Sequence, residues 1–495
     1  METKKFVTYE DFGAIGDGKA DDIDAIAKAH EYANANELPV KAKDDATYYI
    51  GGRCCPVTVK TSTDFGGAHF IIDDRECEAH NKHIFYVASD CEYYPVEIKK
   101  IDKGQKKIDI PHEGNIFVKV KNENKRVYIR YGANQNNGNA LLDYFTVDKD
   151  GNIGTLMAWQ FDEVTEAFAK STDETPIVIE GGTFTTIANR DPFEKRRYHS
   201  RAFSCKRSHV HFKNIVHLVT GEPEPEEHYS SPYAGFLCIE DCYDITVENV
   251  TFTPHRTYYF TMANGVRNAI GTYEMNGGGT IGLKLIGLTQ TIDIMDSRYW
   301  GLMGTNFCKD MLLKDCKISR FDAHCGVHNV TMQGCEFGYV TMEVIGFGDF
   351  LYENGTNRGS RFFLLRGDYG SFFKGDVTIR DAVWEAIPNS STGKAFFFNA
   401  WNNGTHDFGY TCEMPKHILL ENVVIDDSRI GEGQAVYLFN AYCTDLEGEK
   451  PFPYRTPETV TLKNVRTKSG KPVRIFEKDE FFKNTRLIIE DERTK

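Results

Sequence analysis

The chain has 495 residues, 41% of them hydrophobic, and a formal net charge of −14. A surface of that sign repels nucleic acid and anionic membranes, and no run of about 18 apolar residues is present to cross a membrane as a helix. The nearest basic stretch, Lys195-Arg196-Arg197 followed by Arg201, Lys206 and Arg207, reads as a solvated loop or a local anion contact.

The first element lies in "DFGAIGDGKADDIDAIAKAH", residues 11–30. Gly13, Gly16 and Gly18 permit a sharp entry turn. Asp21 or Asp22 can cap a short helix. Ile23, Ile26, Ala27 and Ala33 then share one face, while Asp24, Lys28 and Glu31 point to water. "TDFGGAHFIIDDRECEAHNKHIFYVASD", residues 63–90, reads as the first coils. The stretch from about 95 to 165 differs: "VEIKKIDKGQKKIDI" and the residues after it alternate like antiparallel strands with polar turns. It reads as an inserted β-subdomain, with no role assigned by its sequence.

From about residue 170 one template recurs: apolar-x-apolar, a polar pair, apolar-x-apolar. Ile245-x-Val247, Glu248-Asn249, Val250-x-Phe252 is one copy; Ile418-x-Leu420, Glu421-Asn422, Val423-x-Ile425 is another. Alternation predicts half-buried strands. The central Asn predicts a corner, because Asn tolerates left-handed backbone. Corners every 20 to 35 residues predict a solenoid, and the absence of long helices favours a parallel β-helix. The opening helix then covers the first coil, whose exposed backbone edge would otherwise pair with other chains. The expectation is an all-β fold: one domain over 1–495, a right-handed parallel β-helix with a short N-terminal capping helix and the inserted β-subdomain.

"FGAIGDGKADDIDAIAKA" resembles the N-terminal signature of the pectate-lyase-like right-handed β-helix superfamily. That group includes polygalacturonase-type hydrolases, rhamnogalacturonases, epimerase-like proteins and phage tailspikes. The resemblance implies the fold and carbohydrate chemistry. The NTD, GHG and RIK motifs of the polygalacturonases are absent, so no catalytic residue carries over from them.

Unusual polar residues concentrate in 290–330 and just beyond. Asp296 to Asp322 is 26 residues, Asp322 to Glu343 is 21, and Glu343 to Asp368 is 25. Each step approximates one coil, and parallel strands lie about 4.8 Å apart. Stacked coils would therefore align these four acids in a column at spacings suited to glycoside hydrolysis. Asp296, Asp322 and Asp368 are the acid/base candidates, Glu343 is the reserve carboxylate, and His324 or His328 offers a further acid or base. Arg298, Arg320 and Arg366 would position the substrate or grip an acidic sugar. Tyr299, Trp300 and Tyr369 would stack on sugar rings, and His255 with Arg256 would extend the groove.

Three functional readings are open. The first is a glycoside hydrolase. The second is a polysaccharide lyase on a uronate-containing chain, with the arginines and His324 carrying the chemistry. The third is a non-catalytic, tailspike-like glycan-binding solenoid, which would bring a homo-oligomer. No cofactor or metal is expected. Lyases of this superfamily often use Ca²⁺, but "IIDDRE" and "IDDS" look like strand ends. The 13 cysteines show no double CxxC pattern. Most sit in apolar runs and read as buried thiols. With no apolar leader in "METKKFVTYEDFG", this predicts a cytoplasmic location, or secretion if a leader has been removed.

Overall fold

The computed structural model describes residues 5–130, 137–191, 197–224, 230–261, 265, 267–400, 408–441 and 455–490; the side chains of Phe260, Asn268 and Asp368 fall outside that description. So do Lys195 and Arg196 of the basic stretch. The chain forms two compact units, residues 1–92 with 171–304, and residues 93–170 with 305–495.

In the first unit, three stacks of short parallel strands wind coil upon coil. One stack sets Val40 beside Thr63, and Ile179, Phe212, Val247 and Leu285 continue in register above Thr63. The Thr63–Ile179 pairing resumes the ladder after residues 93–170 have left it. Inward side chains stack as the period of two demands: Phe70 lies on Phe184 at 4.7 Å and Phe85 on Phe203 at 4.8 Å. Each fully buried ring of this kind contributes about 1.5–3 kcal/mol.

The corners behave as the template requires. Asn249, Asn422 and Asn464 all take positive φ, between 50° and 54°. In the second unit Asn464, Asn422 and Asp381 form a ladder. The Asn464 amide donates to Asn422 Oδ1 at 3.0 Å, and the Asn422 amide donates to Asp381 Oδ1 at 2.9 Å.

The helix α1 spans Ile23–Ala35 and buries Ile23, Ala25, Ile26, Ala29, His30 and Ala33. Asp22 occupies its N-cap position but makes no side-chain cap bond. Its carboxylate turns back instead and accepts from Ile15 N at 2.7 Å and Gly16 N at 3.1 Å, pinning the glycine turn. Asn34 joins the helix to a strand edge: its amide donates to Thr58 O, and its Oδ1 accepts from Lys60 N.

Arg201 and Arg207 are not solvated, contrary to the reading of the basic stretch. Each is buried on a carboxylate, Arg201 on Asp74 at 2.5 Å and Arg207 on Asp173 at 2.8 Å. The charge cancels internally, so neither presents a basic surface. All 12 described cysteines are free thiols, eight of them buried.

In the second unit, residues 94–170 carry a four-stranded antiparallel sheet. Its longest pair, Ile116–Val127 and the edge strand Asn139–Val147, slips register between Asn122 and Arg126. The sheet shares one core with the coils of its own unit, where Trp159 meets Phe347 at 4.8 Å. A buried ion pair, Lys309 to Asp143 at 2.6 Å, ties sheet to coil. Those coils again form three parallel stacks. The stack that carries the predicted site residues contains residues 320–322, 341–344, Arg361–Leu365, Lys394–Asn399 and Ala435–Phe439.

Candidate functional site

Asp322 and Glu343 are register partners on adjacent coils of the second unit. The backbone between Gly338 and Thr341 bulges, and Thr341 takes φ 71°. A β-branched residue with positive φ is a genuine outlier, and bulges re-aim the residues that follow them. Here the bulge sets Glu343 opposite Asp322. Arg320 donates to Asp322 Oδ2 at 2.9 Å and also to Glu343. Arg366 donates to Asp322 Oδ1, and its guanidinium lies 3.6 Å from Glu343.

Asp322 is 0% exposed, whereas the side chains of Glu343 and Arg366 are 13% and 12% exposed. Burial alone would raise the Asp322 pKa. The guanidiniums of Arg320 and Arg366, with His324, outweigh it and hold this carboxyl below its ordinary range. Asp322 is therefore an ionised carboxylate in the interior, each oxygen held by a guanidinium. Glu343 is the carboxylate that reaches the surface.

Beside this pair, the Tyr369 hydroxyl lies 3.3 Å from His324 Nε2. Arg130, from the inserted sheet, donates to the same hydroxyl at 3.4 Å, and its guanidinium sits 4.7 Å above the Tyr369 ring. Tyr128 meets that ring edge-on at 5.9 Å. The insertion thus supplies residues to the site. Arg361, on the next coil, lies in the field of Glu343 and Arg320, and burial lowers its pKa. Among the described side chains, the guanidiniums of Arg130, Arg320, Arg361 and Arg366 gather around the carboxylates of Asp322 and Glu343.

The other predicted residues fall elsewhere. Asp368 lies in the 3₁₀ turn Gly367–Tyr369, and Leu364 is the register partner of Glu343. The expected column therefore does not continue to Asp368. His328 is buried near Lys309, and burial followed by that ammonium pushes its pKa well down. Asp296 lies in the first unit, in a loop, locked to Arg298 two residues on at 2.6 Å. Those bonds hold its carboxyl below the usual range. They account for the Arg298 partner locally, without a substrate. Tyr299 bridges Arg256 through the backbone, and Trp300 donates its backbone N–H to His255 O at 3.1 Å.

His255 belongs to a polar network in the first unit that the sequence reading missed. Its Nδ1 lies 2.7 Å from Glu222 Oε1 and its Nε2 lies 2.7 Å from Glu274 Oε1. Glu274 also meets His217 Nδ1, whose other nitrogen reaches Thr186 Oγ1 at 2.9 Å. Tyr233 stacks on His255 at 4.2 Å and donates to Asp74. Burial opposes charge on His255, yet Glu274 and Glu222 raise its pKa to about 10. Burial raises Asp74 to about 6, against the pull of Arg201. Glu274 has one sequence signal, a carboxylate just before the inward Met275.

Among the described residues, no group of three or more His, Cys, Asp or Glu side chains is placed to hold a metal ion. Asp73 and Asp74 of "IIDDRE" are engaged by Arg75 and Arg201.

No protein-family model and no curated protein matches the sequence. Among solved structures, the chain is similar to the tailspike gp61 of Pseudomonas phage phi297, with a TM-score of 0.53 at 11% identity, covering 94% of this chain and 81% of that one. It is also similar, more distantly, to the tailspike gp49 of Pseudomonas phage LKA1, with a TM-score of 0.46 at 12% identity, covering 93% and 81%. The likeness to gp61 carries the fold, the right-handed parallel β-helix that the N-terminal motif implies.

Proposed function

We propose that this parallel β-helix is a glycan-active protein that binds an acidic glycan at the arginine-rich face of its second unit and cleaves it by β-elimination. The carrying observation is the Tyr369–His324 pair, 3.3 Å apart, beside the Arg130 and Arg366 guanidiniums. The resemblance of the N-terminal motif to carbohydrate-active β-helices supports the substrate class.

A guanidinium neutralises the uronate carboxylate and so acidifies the adjacent C5–H. His324 accepts that proton, directly or through the Tyr369 hydroxyl. The C5–H electron pair becomes the C4=C5 double bond. The C4–O bond breaks, and the leaving oxygen takes a proton from the Tyr369–His324 pair. Atoms and charge balance without a co-reactant.

Hydrolysis is the second reading, favoured by the register pairing of Asp322 with Glu343, about 4.8 Å apart along the stack. It is weaker because both oxygens of Asp322 are taken up by the Arg320 and Arg366 guanidiniums. Incubation with polygalacturonate, alginate, hyaluronan and heparin separates the readings. Elimination produces a near-ultraviolet absorbance from the new double bond. New reducing ends without that absorbance would establish hydrolysis and overturn elimination, and retention without either product would leave a binding solenoid.

A further inference from the structure

Phe396 and Tyr437 stand on successive coils of the same stack as Glu343, in register, with Arg361 opposite Phe396 on the preceding coil. Both rings point outward and are half-buried. They lie 6.0 Å apart at 23°, and the Arg474 guanidinium covers the Tyr437 ring at 5.7 Å. Packing does not require them. The interior of these coils is filled by its own rings, Phe362 on Phe397 at 4.2 Å and Phe398 on Phe439 at 5.0 Å. With their faces stacked along the coils, the outward edges of the two rings are left partly open to water and give a sugar an apolar surface to lie against. Among the described residues, no hydrogen bond or ion pair engages the guanidiniums of Arg361 or Arg474.

We infer that Arg361, Phe396, Tyr437 and Arg474 form a binding strip for an acidic glycan chain, carrying sugar units beyond the one at Glu343. Arg361 to Tyr437 is two coil steps, about 10 Å, and the steps match a linear repeating ligand rather than a compact one. Arginine at both ends selects an anionic chain, as their planar forks bind carboxylates and sulfates. The inference rests on the acidic-glycan reading of the site and extends it from one sugar to a chain.

The test is affinity electrophoresis of the full chain in gels containing polygalacturonate, alginate, hyaluronan or heparin, with dextran as the neutral control. The wild type is retarded by an acidic polymer and not by dextran. F396A/Y437A weakens that retardation about tenfold, R361Q also weakens it, and F396Y/Y437F restores it. Thermal unfolding confirms that each variant is folded. Equal retardation of F396A/Y437A and the wild type overturns the strip, as does a wild type retarded by none of the acidic polymers. Retardation lost in F396A/Y437A, with no unsaturated product from the wild type, keeps the strip and sinks only elimination.

Discussion

The polar network of the first unit and that of the second use the same carboxylates on the same kind of stacked coil, but they differ in the cation. In the first, imidazole sits between carboxylates: Glu222, His255, Glu274 and His217 alternate, and the last three are at most 1% exposed. Each ring nitrogen of His255 meets a carboxylate, and the flat contact with Tyr233 covers a ring face. In the second unit, among the described side chains of the site, the cations are guanidiniums, and Glu343 and Arg366 reach the surface. A network that closes on itself holds coils together, while one whose charged groups reach the surface can take a ligand.

The largest effect that would break this comparison is on stability. Glu274→Gln leaves His217 and His255 facing an amide inside a sealed core. Breaking a buried pair of this kind costs about 3–5 kcal/mol, read as a lower urea midpoint. Asp322→Asn removes one of the two carboxylates that Arg320 and Arg366 share, leaving them Glu343, and lowers the midpoint by less. If either variant unfolds like the wild type, its acid is no anchor.

Next comes activity. Tyr369→Phe removes one buried hydroxyl and almost no volume; His324 and Arg130 lose a partner, and stability falls by about 1–3 kcal/mol, which leaves the fold intact. Turnover on the acidic glycan falls about 10²-fold or more, the usual contribution of a positioned acid or base. The matching control is Glu274→Gln assayed below its melting range, where turnover per folded molecule is unchanged. A Tyr369→Phe variant with normal turnover would remove the chemistry from the second unit.

The fold was legible where physics is local. The Asn corners repeat because a residue must turn left-handed between strands, and Asn249, Asn422 and Asn464 do so. The step of 21 residues from Asp322 to Glu343 does equal one coil. The step from Glu343 to Asp368 does not, because this coil again takes 21 residues, Glu343 to Leu364, and Asp368 lies four residues beyond it. Coils elsewhere are longer, Val377 to Ile418 for one, so spacing along the chain alone does not give the register. Arg130 was beyond reach altogether, since its partner Tyr369 lies 239 residues away. The His–Glu network left little trace because its members come from four different strand ends and loops.

A smaller effect is the pH dependence of the first unit. His255 has a folded pKa of about 10 against an ordinary value of 6.5. Its protonated form is bound by Glu274 and Glu222, so its contribution is complete below pH 6.5 and is lost as pH rises toward 10. Glu274 is held below its ordinary 4.5, so the same contact weakens again as pH falls beneath that value. Asp74 acts oppositely: its folded pKa near 6 exceeds the ordinary 3.8, so protonation adds stability as pH falls from 6 toward 4. Thermal midpoints measured from pH 4 to pH 10 should therefore drop on the alkaline side, and His255→Gln should flatten that drop. An alkaline limb unchanged in this variant would assign the loss to another group.

The smallest effect is Asp296→Asn. The sequence spacing placed Asp296 among the acids of the column, but its carboxylate is taken by Arg298 two residues away, whose side chain is 71% exposed. An ion pair with an exposed partner contributes about 0–1 kcal/mol. The asparagine amide oxygen can still accept from Arg298 N, now at 3.1 Å from Asp296 Oδ1. The urea midpoint should therefore move by no more than that small amount, and turnover on the acidic glycan should be unchanged. A turnover loss comparable to that of Tyr369→Phe would mean that this loop of the first unit takes part in catalysis, and the division of labour between a closed network and an open one would fail.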